Sequence, residues 1–488
     1  MTQMTPTTPG ADFLAALGEA LPGLTVQTGV DTMMSHAQDH ALFTEVGVPL
    51  AVVFPTETAQ VSTICALATR HRIPVVPRGA GTGLSGGANA VEGGVVLCVE
   101  RMDRVLDIDV DNAVAVVQPG VINAALSRQV KEVGLFYPPD PGSQDISSIG
   151  GNVATNAGGL CCVKYGVTRD YVIGMEVVLA DGRITRLGRR SRKGVAGLDL
   201  TGLFIGSEGT LGVVTEVTLR LLRAPGEARS TMVAEFDSLA AAGLAVQQIV
   251  TTTAPAMLEI MDASSLDAVR RWKNIEFSPG VAAVLIAQSD AFDAQTRVRE
   301  VELMQQAAEV SSATSVFVSD DVAEGDALVA VRRMAGPAME QLGTVLVDDV
   351  AVPISRLVDF LTGCQAIGSR LGAHVAIIGH AGDGNMHPSI IFDAADAEQA
   401  RIAHDTFEQI GLLGLQLGGT ITGEHGVGLL KAGLLETELG EVALDMHRAI
   451  KHALDPLSLM NPGKVFALPT PAPGVDEGRD TTTQGEAR

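Results

Sequence analysis

Residues 77–87 read PRGAGTGLSGG. This glycine-rich stretch indicates whether the chain has a dinucleotide-binding fold, with a helix at this place, or a fold with a loop here. Within it, Gly81-Thr-Gly83-Leu-Ser-Gly86 matches the G-x-G-x-x-G pattern of dinucleotide-binding folds, which requires a helix that opens at the motif. The chain instead continues as GANAVEGG and reaches the next apolar run at Val95. Because this composition disfavours a helix, we expect a loop whose N–H groups cradle an anion, with a glycine-rich surface turn as the alternative.

Two further segments of small residues follow in the chain. Residues 138–159 read PPDPGSQDISSIGGNVATNAGG, and residues 206–212 read GSEGTLG. Small side chains allow the backbone to lie close to a large planar ligand and to hydrogen-bond it. Three such loops in one chain favour a ligand-binding role over a chance collection of surface turns.

The composition of the 488-residue chain indicates which kinds of partner and which cellular compartment are compatible with it. The net charge of −23 opposes nucleic-acid binding, so an anionic substrate needs a local positive site. No apolar stretch approaches the ~20 residues of a membrane-spanning helix, and the start, MTQMTPTTPG, does not resemble a secretory signal. Five cysteines without a Cys-x-x-Cys run argue for a reducing compartment and against an iron–sulfur cluster in this chain. We therefore expect a cytoplasmic protein of two or three domains.

Short apolar strands that alternate with helices in the first 223 residues predict an α/β or α+β fold. Residues 58–72 show a helical apolar face, and 176–186 predict a β-hairpin across Asp181-Gly182. The pattern breaks at 224–226, and the separate helices and strands that follow indicate an antiparallel sheet with helices on it. Residues 395–413 and 434–454 each predict one long helix. The expected organisation is a flexible start at 1–10, a first domain at 11–224, a second domain at 225–425, a C-terminal segment at 426–468 and a disordered tail at 469–488.

Residues 377–391, IIGHAGDGNMHPSII, carry two histidines around a predicted hairpin. Asp383-Gly384 signals a two-residue turn, and counting outward from it sets His380 opposite His387. Directly opposed residues have Cβ atoms about 5 Å apart, so the two imidazoles could share a metal ion, although a structural role is commoner for such a pair. Residues 418–428, GGTITGEHGVG, contain Glu424, whose carboxylate would complete a two-histidine, one-carboxylate set with open positions.

In order and separation, the three glycine loops resemble the flavin-binding domain of the vanillyl-alcohol-oxidase superfamily. The histidine hairpin and the Glu424-His425 motif are similar to the branch with the glycolate oxidase D subunit, D-lactate dehydrogenases and D-2-hydroxyglutarate dehydrogenase. The resemblance implies a two-part FAD-binding domain, an antiparallel-sheet cap domain for the substrate and a C-terminal helical segment that returns to the FAD domain. It also implies FAD contacts at Pro77, Arg78, Gly79, Ala80, Gly81, Thr82, Gly83, Ser85 and Gly86 for the phosphates, at Pro139, Asp140, Ser143, Gly151, Asn152, Asn156 and Gly158 for the ribose or ring, and at Glu208, Gly212 and Val214 for the adenine side.

The resemblance also bears on how the flavin is held. Relatives with covalent flavin often carry histidine where this chain has Thr82, so non-covalent FAD is expected. Cys161 and Cys162 offer a covalent alternative, but packing near the flavin is the simpler interpretation. Lys164 is expected to face either the flavin or solvent.

For the reaction, the branch implies a divalent metal (zinc, manganese or iron) on His380, His387 and Glu424, with His425 as the base. Arg332 is expected to bind the substrate carboxylate, with a solvated surface arginine as the alternative, and Asn461 to contact substrate or cofactor. Oxidation then transfers a hydride to FAD N5 and the hydroxyl proton to His425. Glutarate-specific relatives have lysine and threonine near the places of Val347 and Gly336, and some have asparagine at that of Ser389. Glycolate or D-lactate is therefore the expected substrate, and D-2-hydroxyglutarate the alternative.

The sequence leaves other functions and several partners open. A redox-neutral alkyl transferase on the same fold would need a long apolar tunnel, and a non-catalytic flavin-binding subunit would not need the histidine motifs. Electrons are expected to pass to a quinone, a cytochrome, an electron-transfer flavoprotein or an iron–sulfur partner subunit. We expect no nucleic-acid partner, a homodimer as the default assembly, and any contact with the inner face of the membrane to be made through a partner.

Overall fold

The computed structural model describes residues 9–191 and 193–466. The predicted tail at 469–488 lies outside the described residues, as does most of the predicted flexible start. The first helix begins at Pro9, inside that start. Among the described residues, no helix combines the length and apolar character needed to cross a bilayer.

The first sheet carries the glycine-rich loop. Its strands run in the order β1-β2-β4-β3, with β2, β4 and β3 parallel and β1 antiparallel. The predicted helix at 58–72 is present, and its apolar face packs in the core below this sheet. Residues 79–94 contain no helix, as expected from their glycines. The elements are α1 (Pro9–Ala20), β1 (Thr25–Gln27), α2 (Val30–Ala37), β2 (Ala51–Phe54), α3 (Thr58–His71), β3 (Val75–Arg78) and β4 (Val95–Cys98).

The second sheet is antiparallel, in the order β5-β6-β10-β8-β9. The hairpin predicted across Asp181-Gly182 is formed by β8 and β9. The elements are β5 (Val105–Asp109), β6 (Val114–Val117), α4 (Asn123–Glu132), β7 (Leu135–Phe136), α5 (Ile149–Thr155), α6 (Cys162–Tyr165), β8 (Val172–Val178), β9 (Ile184–Gly188), α7 (Leu200–Phe204), β10 (Val213–Arg220) and β11 (Leu222–Arg223).

The third sheet is antiparallel and has helices on both faces, in agreement with the pattern after residue 224. Its order is β15-β12-β14-β13-β18-β19-β16, with β17 paired to β19. The elements are β12 (Ser230–Phe236), α8 (Leu239–Thr252), β13 (Met257–Asp262), α9 (Ala263–Lys273), β14 (Ala283–Ser289), α10 (Ala294–Val310), β15 (Ser315–Ser319), α11 (Val322–Arg333), α12 (Ala335–Glu340), β16 (Thr344–Val347), β17 (Val350–Ala351), α13 (Leu357–Leu371), β18 (His374–His380) and β19 (Asn385–Phe392).

The chain then forms α14 (Ala397–Gln416), α15 (Ala432–Leu439) and α16 (Glu441–Leu454). The single helix predicted at 434–454 is wrong, because Gly440 adopts φ +75° and divides it into α15 and α16. After α16 the backbone returns to the first sheet, where the N–H of Asn461 donates to the carbonyl of Val75 at 2.8 Å. The C-terminal segment therefore returns to the first sheet, as expected.

Candidate active site

A cavity of about 460 Å³ lies between the loops of the first two sheets and one face of the third sheet. It brings together most of the residues that the sequence motifs selected. Those that line it are Pro77, Arg78, Gly79, Ala80, Gly81, Thr82, Gly83, Ser85, Ser143, Gly151, Asn152, Glu208, Gly212, Val214, Arg332, His380, His387, Glu424 and His425. The lining does not include Gly86, Pro139, Asp140, Asn156, Gly158 or Asn461.

The glycine-rich loop has no room for side chains where it faces the cavity. Gly81 adopts φ +75°, and a Cβ there would lie 2.0 Å from Nη2 of Arg78. A Cβ on Gly79 would lie 2.4 Å from Oγ of Ser148. Arg78 is itself buried, and its Nη1 donates to the Gln38 carbonyl at 3.0 Å. Bare backbone beside a buried guanidinium fits an anionic group such as a pyrophosphate.

Four of the predicted contacts outside the lining support neighbouring segments. Asp140 accepts a hydrogen bond from the Cys161 N–H at 3.0 Å, and burial raises its pKa to about 6. Asn156 ends α5 with φ +57°. A Cβ on Gly158 would lie 2.6 Å from Oε2 of Glu424, so this glycine leaves space for that carboxylate. The amide of Asn461 donates to the carbonyls of Gly87 at 2.8 Å and Glu208 at 2.7 Å, which indicates a role in holding loops together.

Glu208 and Ser85 connect the flavin-type loops to the segment with Glu424 and His425. The Glu208 carboxylate accepts from the N–H groups of Val427 at 2.7 Å and Gly428 at 2.9 Å. Burial raises the pKa of Glu208 to about 7. The Ser85 hydroxyl lies 3.0 Å from the His425 carbonyl. Both side chains face the cavity, yet their polar atoms hold the turn that follows Glu424.

The hairpin that carries the two histidines differs in register from the prediction. His380 pairs with Asn385, and Ile378 pairs with His387, so the turn covers 381–384 and the predicted pairing of His380 with His387 is wrong. Packing against Val352 explains the longer turn, since Val352 N–H donates to the carbonyl of Gly384 at 3.1 Å. The histidines are diagonal neighbours on one face of the sheet, and their ring centroids are 5.1 Å apart.

The carboxylate of Glu424 completes the expected set. Its Oε1 lies 3.3 Å from Nε2 of His380 and 3.3 Å from Nε2 of His387. Its Oε2 is buried without a hydrogen-bond partner. Burial raises the pKa of Glu424, but hydrogen bonds from His380 and His387 lower it well below the usual value. Two imidazole nitrogens and a carboxylate, all within 4.8 Å of one another, form a donor set that could hold a divalent cation.

His425 lies against the same cluster. Its ring stacks on that of His387, with centroids 5.0 Å apart and planes 10° apart. Its Nε2 is 3.8 Å from Oε1 of Glu424. Burial lowers the pKa of His425 to about 4, so its imidazole is neutral near pH 7 and can accept a proton.

Two buried carboxylates behind this cluster were not predicted. Glu259 is fully buried on β13, and its Oε1 is 2.7 Å from Nδ1 of His380. Asp349 follows β16, and its Oδ2 accepts from the N–H groups of Glu424 at 2.9 Å and His425 at 2.8 Å. An acid in the apolar run MLEIMD and a pair of acids in VLVDDVAV were the signals available in the sequence.

Arg332 ends α11 at the cavity and is only 7% exposed, so it is not a solvated surface residue. Its Nε lies 2.9 Å from Oε2 of Glu259. Gly336, Val347 and Ser389, the positions that bear on substrate size, also line the cavity.

Lys164 and the adjacent cysteines lie near the cavity but not in its lining. Lys164 pairs with Asp290, which follows β14, and its side chain is 25% exposed, so it lies partly at the surface and not in the cavity lining. Burial raises the pKa of the Cys161 and Cys162 thiols, which disfavours their thiolate forms. This agrees with packing rather than covalent attachment.

Comparison with known proteins places the chain in a family. The family model for an FAD binding domain matches residues 49–188, and that for the C-terminal domain of FAD linked oxidases matches 226–465. The glycolate oxidase subunit GlcD of Bacillus subtilis is 42% identical over 421 residues, which cover 86% of this chain and 89% of the relative. The probable mitochondrial D-lactate dehydrogenase of Danio rerio is 35% identical, over 86% of this chain and 85% of its own.

Solved structures agree on the fold. The 4-ethylphenol oxidase of Gulosibacter chungangensis matches with a TM-score of 0.77 at 19% identity, over 96% of this chain and 99% of that one. An alkyldihydroxyacetonephosphate synthase matches with a TM-score of 0.71 at 18% identity, over 95% and 87%. At such identities the likeness concerns the fold alone. The expected α+β fold is confirmed, and the chain belongs to the FAD-linked oxidase family.

Proposed function

We propose that this protein is an FAD-dependent dehydrogenase that oxidises a small 2-hydroxy acid to the 2-oxo acid. The observation that carries the proposal is the meeting of His380, His387, Glu424 and His425 in the cavity that the glycine-rich loop also lines. Relatives named glycolate oxidase subunit and D-lactate dehydrogenase support the substrate class, because glycolate and D-lactate are both 2-hydroxy acids.

The residues around the cavity are suited to hold two groups, FAD and a divalent cation. When bound, FAD supplies a hydride acceptor, and a divalent cation supplies the charge that makes a hydroxyl acidic. The bare backbone at Gly79 and Gly81 and the guanidinium of Arg78 would hold the FAD phosphates. The Nε2 atoms of His380 and His387 and the Glu424 carboxylate would hold the cation. Zinc, manganese and iron(II) all suit that donor set.

His425 is proposed as the base that accepts the hydroxyl proton. A neutral imidazole is required for that role, and burial keeps the pKa of His425 near 4. Stacking on His387 fixes the ring beside the cation ligands. The proton acceptor and the groups that acidify the proton therefore belong to one cluster.

Arg332 is proposed to bind the substrate carboxylate. Its guanidinium lines the same cavity as the histidines and can pair with an anion, which meets the electrostatic demand of a chain with a net charge of −23. The cavity lining carries no charged side chain at Gly336 and Val347, so these two positions offer no partner to a second carboxylate. Glycolate or D-lactate is therefore proposed over D-2-hydroxyglutarate. The electrons are proposed to leave to a quinone, a cytochrome, a flavoprotein or an iron–sulfur partner.

An anaerobic substrate panel tests the proposal. Purified protein is mixed with glycolate, D-lactate, L-lactate or D-2-hydroxyglutarate while flavin absorbance is followed, and metal content is measured on the same sample. We expect glycolate or D-lactate to bleach the flavin, and divalent metal to be present in amounts similar to flavin. Yellow protein that no hydroxy acid bleaches, with or without added zinc or manganese, would rule the proposal out.

A pair of variants tests the role of the base. His425→Gln should slow flavin reduction by about 10²- to 10⁴-fold while flavin and metal content stay unchanged. His452→Gln, on the exposed side of α16, is the matched control and should reduce at the wild-type rate. Equal rates in the two variants would exclude His425 as the base.

A further inference from the structure

Glu259 lies at the point where the cation ligands and the anion-binding arginine meet. It is 0% exposed and occupies the middle of β13 in the third sheet. Its strand pairs with β18 in a register that places Glu259 beside His380, since Ile260 pairs with Gly379. A buried carboxylate is costly unless its oxygens are paired, so its partners explain its presence.

Each oxygen of Glu259 has a different partner. Oε1 lies 2.7 Å from Nδ1 of His380, and Oε2 lies 2.9 Å from Nε of Arg332. The first contact favours a proton on Nδ1, so Nε2, which lies 3.3 Å from Glu424 Oε1, is the nitrogen that would face a bound cation. The second holds the guanidinium at the cavity wall. One side chain therefore orients a cation ligand and a substrate-binding residue together.

Resting on the proposed function, we infer that Glu259 is a positioning residue that links cation binding to binding of the substrate carboxylate. It touches neither the cation nor the substrate. Its carboxylate holds the His380 imidazole through Oε1 and the Arg332 guanidinium through Oε2, so the two sites are fixed relative to one another. Loss of this charge should weaken both.

Glu259→Gln removes the charge but keeps the size of the side chain. The amide oxygen can still accept from His380, but the amide nitrogen then faces a donor on Arg332. We expect the affinity for zinc, measured by competition with a chromophoric chelator, to fall about 10- to 100-fold. We expect KM for the preferred hydroxy acid to rise about 10-fold or more, because the buried ion pair that positions Arg332 is lost.

Two variants separate this effect from loss of folding. Asp262→Asn changes a carboxylate that is equally buried on the same strand but caps α9 through the N–H of Ser265, so it should retain zinc affinity and KM. Glu259→Asp keeps the charge on a shorter side chain and should recover part of both losses. Thermal unfolding and flavin content are measured for each variant.

The possible outcomes separate failure of the linking role of Glu259 from failure of the proposed metal site. If wild-type protein binds zinc, and Glu259→Gln binds it with the same affinity as wild type or as Asp262→Asn, only the linking role of Glu259 is overturned. Loss of zinc affinity without a rise in KM overturns the connection to Arg332. Wild-type protein with no affinity for zinc or manganese overturns the proposed metal site, and this inference with it.

Discussion

Asp349→Asn is the substitution that most directly tests how the turn with Glu424 and His425 is held. The carboxylate of Asp349 is fully buried, and its Oδ2 accepts from Thr422 Oγ1 at 2.8 Å, Glu424 N–H at 2.9 Å and His425 N–H at 2.8 Å. Burial raises its pKa, but His425, which is charged at the acidic pH where Asp349 titrates, and the ammonium of Lys431 lower it below its usual value. The group is therefore ionised at pH 7, and asparagine removes a full charge at constant size.

The magnitude follows from these three bonds. A hydrogen bond to a charged group contributes about 1.5–3 kcal/mol to stability, against about 1 kcal/mol for a neutral one. An amide oxygen has two lone pairs, so it can keep at most two of the three donors, each now in a neutral bond. We expect a loss of about 3 kcal/mol in the free energy of unfolding. The loosened turn should also slow flavin reduction by about 10²-fold, the cost of a misplacement of about 1 Å.

The assay compares Asp349→Asn with Asp348→Asn. Asp348 is the adjacent acid, is equally buried, and pairs with Lys431 at 2.9 Å instead of with the turn. Both variants should lose stability in urea unfolding, but only Asp349→Asn should lose metal and reduce slowly under anaerobic conditions. If both variants reduce at the same rate, the claim that Asp349 organises the catalytic turn is refuted.

Three further outcomes follow from single features of the FAD site and its surroundings. Acid precipitation should release all flavin into the supernatant, because Thr82 stands where covalent attachment would need a histidine; flavin that stays with the pellet would contradict this. Gly81→Ala should lower flavin content sharply, since its Cβ would lie 2.0 Å from Arg78, whereas Gly134→Ala has a similar φ of +74° with open space around it and should cost only about 1 kcal/mol of stability. The raised pKa of Glu208, about 7 against an ordinary 4.5, means that its contribution to stability is complete below about pH 4.5 and is lost as pH rises through 7. Unfolding free energies from pH 5 to 8 should fall less in Glu208→Gln than in wild type, and parallel profiles would contradict the assignment.

The glycine loops and the histidine motifs were predictable because their signals are local. The glycines at 79–94 rule out a crossover helix by composition alone, and the structure has none there. Asp383-Gly384 also signals a turn correctly, but the length of that turn depends on Val352, which contacts Gly384 from another segment. The predicted register of the histidine hairpin was therefore wrong, because no local sequence pattern shows the length of this turn. The two histidines still meet, because diagonal residues on one face of a sheet also come close.

Glu259 and Asp349 could not be assigned from the sequence for a different reason. Glu259 bonds to a residue 121 positions away, and Asp349 bonds to backbone groups 75 and 76 positions away. Glu259 lies between apolar residues, and Asp349 belongs to a pair of acids flanked by apolar residues, so the sequence shows only that acids are buried there. What such an acid does depends on which strand pairs with its own, and this is fixed by the third sheet as a whole.

The contacts at Ser85 and Glu208 bear on how the two halves of the site depend on one another. Both residues belong to loops of the FAD-binding part, yet Ser85 Oγ bonds to the carbonyl of His425 and Glu208 bonds to the N–H groups of Val427 and Gly428. A ligand that orders the glycine loops therefore also orders the turn that carries Glu424 and His425. Because coupling of this kind is reciprocal, occupation of the cation site should stabilise the bound flavin as well. The proposed base, His425, should then be held in place while flavin is bound and loosened when flavin is lost.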